Sequence, residues 1–236
     1  MLINNDIIVY LLIIGSSIGA IAWGKIDKLG GIAGCIVTCL LFASSGFYGI
    51  SLIAVFFLIG TAASLYKINR KTELRLAEPR RSQRGWKNVL ANSGAAAAIA
   101  LVDIMFHSIP QTELLLAACF AVALSDTLSS EMGNITGRNY FNIISFKLGV
   151  RGHDGVVSWE GFAWGLLGSC TIGAIYWFNF HSMYETLLIC LVGFLGNVLD
   201  SVLGATWQRK GYLNNHTVNL ASTTVAVATA LIIIFW

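Results

Sequence analysis

Apolar residues run through this chain in long stretches separated by short polar segments, rather than in the brief amphipathic periods of a soluble fold. Eight stretches approach the roughly 20 residues a helix needs to cross a hydrocarbon core. They are Leu2–Trp23, Leu29–Ala43, Gly49–Tyr66, Val89–His107, Leu114–Met132, Gly161–Phe178, Thr186–Trp207 and Val218–Phe235. The second is short and reads as a partial or tilted span. The pattern predicts an all-α, polytopic integral membrane bundle of about eight transmembrane helices, organised as a single domain over 1–236. No basic residue precedes the first span and no small-residue cleavage site follows it before Trp23 and Lys25, so a retained helix is expected there rather than a signal peptide.

Composition points the same way, with 56% hydrophobic residues, 11% charged residues and a mean hydropathy of +0.72, far from soluble averages. Charge adds an orientation. All 15 Lys and Arg residues fall in four stretches, Lys25 to Lys28, Lys67 to Lys87, Arg138 to Arg151 and Arg209 to Lys210. Threading the spans alternately puts all four on one side, which the positive-inside rule identifies as cytoplasmic. The expected setting is a prokaryotic plasma membrane, with both termini on the opposite side. The net charge of +3 suits anionic lipid head groups and needs no nucleic acid. The five cysteines, Cys35, Cys39, Cys119, Cys170 and Cys190, all lie in spans without a Cys-x-x-Cys pair, so they read as small packing residues.

An ionisable side chain inside a membrane helix costs about 2.5 to 3.5 kcal/mol even on gentle scales, so each asks for a reason. Asp126 and Glu131 come late in the fifth span, within ALSDTLSSEMG, and Asp200 late in the seventh, within GNVLDSVLGATWQRKG. At 1.5 Å per residue, Asp200 lies roughly 13 Å before Arg209 and Asp126 about 18 Å past Leu114, similar depths in the cytoplasmic half. Glu131 follows Asp126 by a rotation of about 140° on an ideal helix, so the two are expected to converge only if the helix unwinds near Ser129 to Gly133. On the seventh span Gly193, Gly196, Asn197, Asp200, Gly204 and Gln208 form one small and polar stripe. A close helix interface accounts for its glycines. Asn88 and Asn92 open the fourth span, and Asn215 and Asn219 the eighth. Interhelical amide bonds or an anion at a helix N-terminus would each explain them. Asp103, His107 and His181 read as interfacial residues on the outer side.

Two loops carry the remaining chemistry. The glycine-rich stretch over 133–160 contains Gly149, Gly152 and Gly155, which allow close backbone approach to a phosphate, together with Arg138, Lys147 and Arg151. It has no Walker-type Gly-Lys-Ser/Thr sequence, and an ordinary connector would need no ligand. The basic loop over 67–87 has eight basic residues and two acids, which topogenesis and lipid contact largely explain. Within it Lys67, Arg84 and Lys87 sit nearest the flanking spans and are the better phosphate-binding candidates.

Acids and bases at one membrane face, beside glycine-rich backbone, are the ingredients of a magnesium-dependent phosphate site. Five blocks, in order, carry a resemblance over nearly the whole chain: RGWKNVLANSG from Arg84, DTLSSEMG from Asp126, GHDGVVSWEG from Gly152, GNVLDSVLGATWQ from Gly196 and NNHTVNLAS from Asn214. With them the chain resembles the transmembrane-protein-19-like family, also called domain of unknown function ninety-two, which includes plant phytyl-phosphate kinase. It departs from the family at Ser93, His153 and Val156, where Gly, Thr and Gly are usual.

The resemblance implies phosphoryl transfer from a nucleoside triphosphate, CTP, to a prenyl or phytyl monophosphate, giving the diphosphate. Asp126, Glu131 and Asp200 are then the expected Mg2+ ligands. Lys67, Arg84, Lys87, Arg138 and Lys147 are the expected phosphate contacts, and Asn92, Asn215 and Asn219 the orienting groups. A prenyl-alcohol kinase, a lipid cytidylyltransferase, an ion-coupled transporter and a non-catalytic membrane assembly factor stand as alternatives, and the oligomeric state is open.

Overall fold

The computed structural model describes residues 2–76, 84–107 and 109–235; the middle of the basic loop, 77–83, lies outside them. The elements in order are α1 (Leu2–Ala22), α2 (Lys28–Leu65), α3 (Ile68–Glu73), α4 (Trp86–Phe106), α5 (Thr112–Thr136), β1 (Phe141–Asn142), β2 (Val156–Val157), α6 (Trp159–Phe180), α7 (Met183–Leu203) and α8 (Asn215–Phe235). A π-helical turn, Gly204–Gln208, extends α7. Among the described residues seven helices are long and apolar enough to cross a membrane, and the fold is an all-α integral membrane bundle.

The second and third expected spans are joined in one 38-residue element, α2, which breaks at Ser45 (φ −129°, ψ 17°) and Gly46 (φ 59°, ψ −142°). Gly46 takes a conformation that a residue with a Cβ adopts only at a cost. Beyond it the chain doubles back, because both arms of α2 meet the same residue. A side chain on Gly30 would lie 2.7 Å from the Arg84 carbonyl oxygen, and one on Gly60 would lie 2.5 Å from Arg84 Nη2. The two short apolar runs are therefore the arms of one helical hairpin.

The core is built around a single helix. From Leu114 to Ser125 every residue of α5 is buried, because α2, α4, α6, α7 and α8 all pack on it and close a ring through their own contacts. Small residues set the approach distances: a side chain on Gly168 would lie 2.8 Å from the Leu124 carbonyl oxygen, and one on Gly193 would lie 2.7 Å from the Cβ atoms of Ala121 and Ser169. Without a hydrophobic drive between helices in lipid, such close packing is the main source of association. The ring helices turn apolar side chains such as Leu58, Leu167 and Ile232 outward, and α1 packs on α2 outside the ring.

The two ends of the bundle differ in chemistry. At one, Asp103 accepts hydrogen bonds from Ser44 Oγ (2.8 Å) and Thr112 Oγ1 (3.0 Å), so this residue cross-links α2, α4 and α5 rather than simply facing an interface. Tyr176 donates to Glu185 there (2.6 Å), and His107 and His181 are exposed at the left-handed ends of α4 and α6. At the other end the described parts of the four basic stretches gather. Arg84 N donates to the Lys25 carbonyl (3.1 Å), Asp27 N to the Arg84 carbonyl (3.1 Å), and Arg209 Nε to the Asp154 carbonyl (2.7 Å); Gly152 packs against Leu76. This is the one-sided arrangement that the charge pattern demands.

Candidate active site

A polar cavity of about 250 Å³ opens at the basic end of the bundle, among the ends of α4, α5, α7 and α8, beneath the loop from Gly152 to Ser158. Asp126 reaches it from α5 and Asp200 from α7, so two separate helices bring carboxylates to one space. The stripe on α7 divides accordingly. Gly193 and Gly196 pack on Ala121 and Val122, whereas Asn197, Asp200, Gly204 and Gln208, toward the end of the helix and in the π-helical turn, line the cavity.

Asp200 is held by α8. Ser222 Oγ donates to Asp200 Oδ2 (3.1 Å), and the Asn219 amide lies beside the same oxygen. With its NH2 toward the carboxylate, Asn219 donates to Asp200 Oδ2 (3.2 Å) and the Asn215 carbonyl (2.7 Å). The opposite orientation would face oxygen against both acceptors and gain only a 3.4 Å approach to Asn92 Oδ1, so the first is adopted. Asn92 in turn donates to the backbone carbonyl and side-chain oxygen of Asn88, both at 2.8 Å. The paired asparagines of α4 and α8 thus line the same cavity, which lies beside the first turns of both helices.

Glu131 also lines the cavity, but not by the expected unwinding, since α5 runs unbroken to Thr136. The cavity instead wraps around the end of that helix. Both oxygens of Glu131 are engaged: Ser64 Oγ donates to Oε1 (2.9 Å) and Lys71 Nζ to Oε2 (2.6 Å). Lys71 is 1% exposed and also donates to the carbonyls of Ala63 (2.7 Å) and Ser64 (3.4 Å) at the end of α2. Its three N–H groups are all used. Nothing in the local sequence distinguishes Lys71 from its neighbours in a basic loop, because its partner lies 60 residues away.

Among the described residues, Arg84 is the Lys or Arg that lines the cavity. Its guanidinium lies over the Phe56 ring at 4.9 Å, in the space that the missing side chain of Gly60 leaves open. Asn92, Asn215 and Asn219 line the cavity as well. The other four phosphate candidates stand outside its wall. The Lys67 ammonium sits over Tyr66 (5.3 Å) and that of Lys87 over Trp86 (5.7 Å), while Arg138 and Lys147 are exposed on the loop surface. Lys67 and Lys87 are candidates by their charge and nearness to a span, Arg138 and Lys147 by their charge in the glycine-rich loop, and none of the four reaches the cavity wall.

The loop over the cavity is a small hairpin in which β1 and β2 pair antiparallel, Phe141 with Val157 and Asn142 with Val156. Val156, where the family usually has glycine, suits that extended position because β-branched residues favour strands. The glycine requirement falls one residue earlier. Gly155 has φ +66° and packs directly on Ala205 of the π-helical turn, so a Cβ there would meet both strain and backbone. Tyr140 fastens the other side, its hydroxyl directed at the carbonyls of Gly133 and Gly137, 3.0 Å from each. Partial burial pushes its phenol above the ordinary range. Asn88, Asn134, Asn197 and Tyr140 also line the cavity without having been singled out as site residues. Asn88 and Asn197 were visible in the sequence as helix-face repeats; Asn134 and Tyr140 gave no signal.

The chain belongs to the family described as integral membrane protein DUF92, whose pattern matches residues 11–227. Chloroplastic protein VTE6 of Arabidopsis thaliana is 30% identical over 210 residues, covering 85% of this chain and 62% of that protein; the chain therefore spans less than two thirds of VTE6. An uncharacterized membrane protein of Methanocaldococcus jannaschii, MJ0933, is 32% identical over 200 residues, 85% of this chain and 82% of its own length. Protein PGR of Arabidopsis thaliana is 28% identical over 250 residues, covering 92% and 85%. No solved structure matches the chain.

Proposed function

We propose, from membership of that family and the chemistry of the cavity, that the chain is a membrane isoprenoid-phosphate kinase. It transfers the terminal phosphoryl group of a nucleoside triphosphate, CTP, to a prenyl or phytyl monophosphate and gives the diphosphate. The observation that carries this reading is the convergence of Asp126 and Asp200, from two helices, on one polar cavity bordered by Arg84 and the first turns of α4 and α8.

The donor set fits Mg2+. Among the described residues no three His, Cys, Asp or Glu side chains form a ready-made cage, and Mg2+ is usually bound by one or two carboxylates with substrate phosphates and water supplying the rest. Asp126 and Asp200 would hold it, whereas Glu131, with both oxygens bonded to Ser64 and Lys71, would contribute charge to the wall. Bound there, Mg2+ supplies neutralisation of the phosphate oxygens. The remaining work falls to the chain. Arg84 offers charge to the transferring group, and the amides of Asn92, Asn215 and Asn219 offer neutral hydrogen bonds that orient it. An oxygen of the lipid phosphate attacks the terminal phosphorus of the nucleotide. The new P–O bond forms as the bond to the bridging oxygen breaks, and the nucleoside diphosphate leaves. Because the acceptor is already an anion, positioning matters more than a general base.

The site faces the cytoplasm of a prokaryotic plasma membrane, on the argument that basic residues are retained on that side. A prenyl tail stays in the bilayer while its phosphate enters the cavity. An ion-coupled transporter is disfavoured because the polar space ends at α5, where Leu114 to Leu124 are buried and apolar apart from Cys119. The test is purified protein with Mg2+, each nucleoside triphosphate in turn, and either a prenyl alcohol or its monophosphate, with lipid products identified by mass spectrometry. Diphosphate formed from monophosphate supports the reading. Monophosphate from the alcohol, a cytidylyl lipid, or no nucleotide-dependent product overturns it.

A further inference from the structure

The hairpin between α5 and α6 carries apolar side chains where a water-facing loop would carry polar ones. Ile144 is 49% exposed, Phe146 72%, Leu148 90% and Val150 64%, at alternate positions around the exposed Lys147. Ordinary loop surface does not concentrate apolar side chains in this way, and a contiguous apolar patch marks an interface.

What covers it follows from its continuity with the membrane-embedded surface. Phe146 stacks on Phe141 (centroids 6.0 Å, interplanar 14°), and Phe141 packs on Trp159 (5.3 Å). Trp159 meets Phe162 (5.9 Å), and Phe162 meets Phe194 (5.9 Å). Five rings thus run without a gap from the hairpin tip onto α6 and α7, two helices that cross the membrane. Trp159, 67% exposed as the first residue of α6, stands where tryptophan anchors helices at head-group level. The tip lies two ring contacts from it.

We infer that the tip of this hairpin is an interfacial membrane anchor. Phe146 and Leu148 enter the boundary between head groups and acyl chains, with Lys147 directed to the head groups. The anchor holds the cavity roof at the lipid surface, since Val156, paired in register with Asn142, lines the cavity from the same hairpin. In relation to the proposed reaction, it keeps the opening at the depth where a lipid phosphate resides. That last step rests on the proposed function; the anchoring does not.

The test separates the two. Phe146→Cys and, as an exposed control at the same end, Lys210→Cys are labelled with a bimane fluorophore in phospholipid nanodiscs, with identically treated wild type as the blank for the native cysteines. Quenching by lipids spin-labelled near the head of the acyl chain is compared with quenching by aqueous iodide. The expected result is lipid quenching of the Phe146 site at least threefold above that of the control, with the iodide order reversed. Equal iodide quenching at both sites, or protection of the Phe146 site from both quenchers, overturns the anchor. In a second arm, Phe146→Ser/Leu148→Ser is expected to raise KM for the lipid monophosphate about tenfold while KM for the nucleotide stays within twofold. If the fluorescence result holds and no phosphoryl transfer occurs in any form of the protein, it is the proposed reaction that falls.

Discussion

Replacing Lys71 by methionine removes the cation of the Lys71–Glu131 ion pair. Glu131 would keep its bond from Ser64 Oγ but lose the 2.6 Å contact on its other oxygen, and the carbonyls of Ala63 and Ser64 would lose their shared donor. Breaking a buried pair from one side costs about 3 to 5 kcal/mol because a charge is left uncompensated. The side chain of Glu131 is 25% exposed whereas that of Lys71 is 2% exposed, so water offsets part of that cost, and about 2 to 3 kcal/mol is expected. For a chain of this size each kcal/mol moves the midpoint by about 2 to 4 °C, which gives a fall of roughly 5 to 10 °C. Thermal unfolding in detergent, followed by intrinsic tryptophan fluorescence, measures it. Lys71→Met/Glu131→Gln should recover most of the loss, since removing both charges of a buried pair is often nearly neutral. A single variant melting within 2 °C of wild type, or a double variant no better than the single, would show that the pair does not fasten the end of α2 to α5.

Four other substitutions probe the cavity and the far end of the bundle. Asp126→Asn and Asp200→Asn should each lower turnover by about 100-fold or more and weaken Mn2+ binding measured by electron paramagnetic resonance, with melting unchanged; full activity in either would remove that residue from the site. Gly60→Ala places a methyl 2.5 Å from Arg84 Nη2, and displacing that guanidinium should lower kcat/KM by about tenfold or more while the protein still inserts and folds; wild-type kinetics would dissociate Arg84 from the chemistry. Asp103→Asn weakens the links to Ser44 and Thr112 and should cost about 1 kcal/mol, seen as a small drop in melting temperature with activity within twofold, whereas lost activity would mean the two ends communicate.

The sequence by itself determined the membrane, the passes through it and which end carries positive charge, because each is a one-dimensional property: an apolar run either is or is not long enough, and a basic residue either interrupts it or does not. It also marked Asp126, Asp200 and the paired asparagines, since a polar group in hydrocarbon stands out wherever it is. Tertiary structure decided the rest. That Asp126 and Asp200 share a cavity depends on how α7 lies against α5; that Glu131 belongs to Lys71 depends on α3 folding back beneath the end of α2. Charge and position in the chain make Lys67, Lys87, Arg138 and Lys147 look equivalent to Arg84, yet Arg84 lines the cavity because Gly60 leaves room for it. Direction and packing distance are properties of pairs of elements, and a linear pattern that records what each residue is holds no record of which residue faces it.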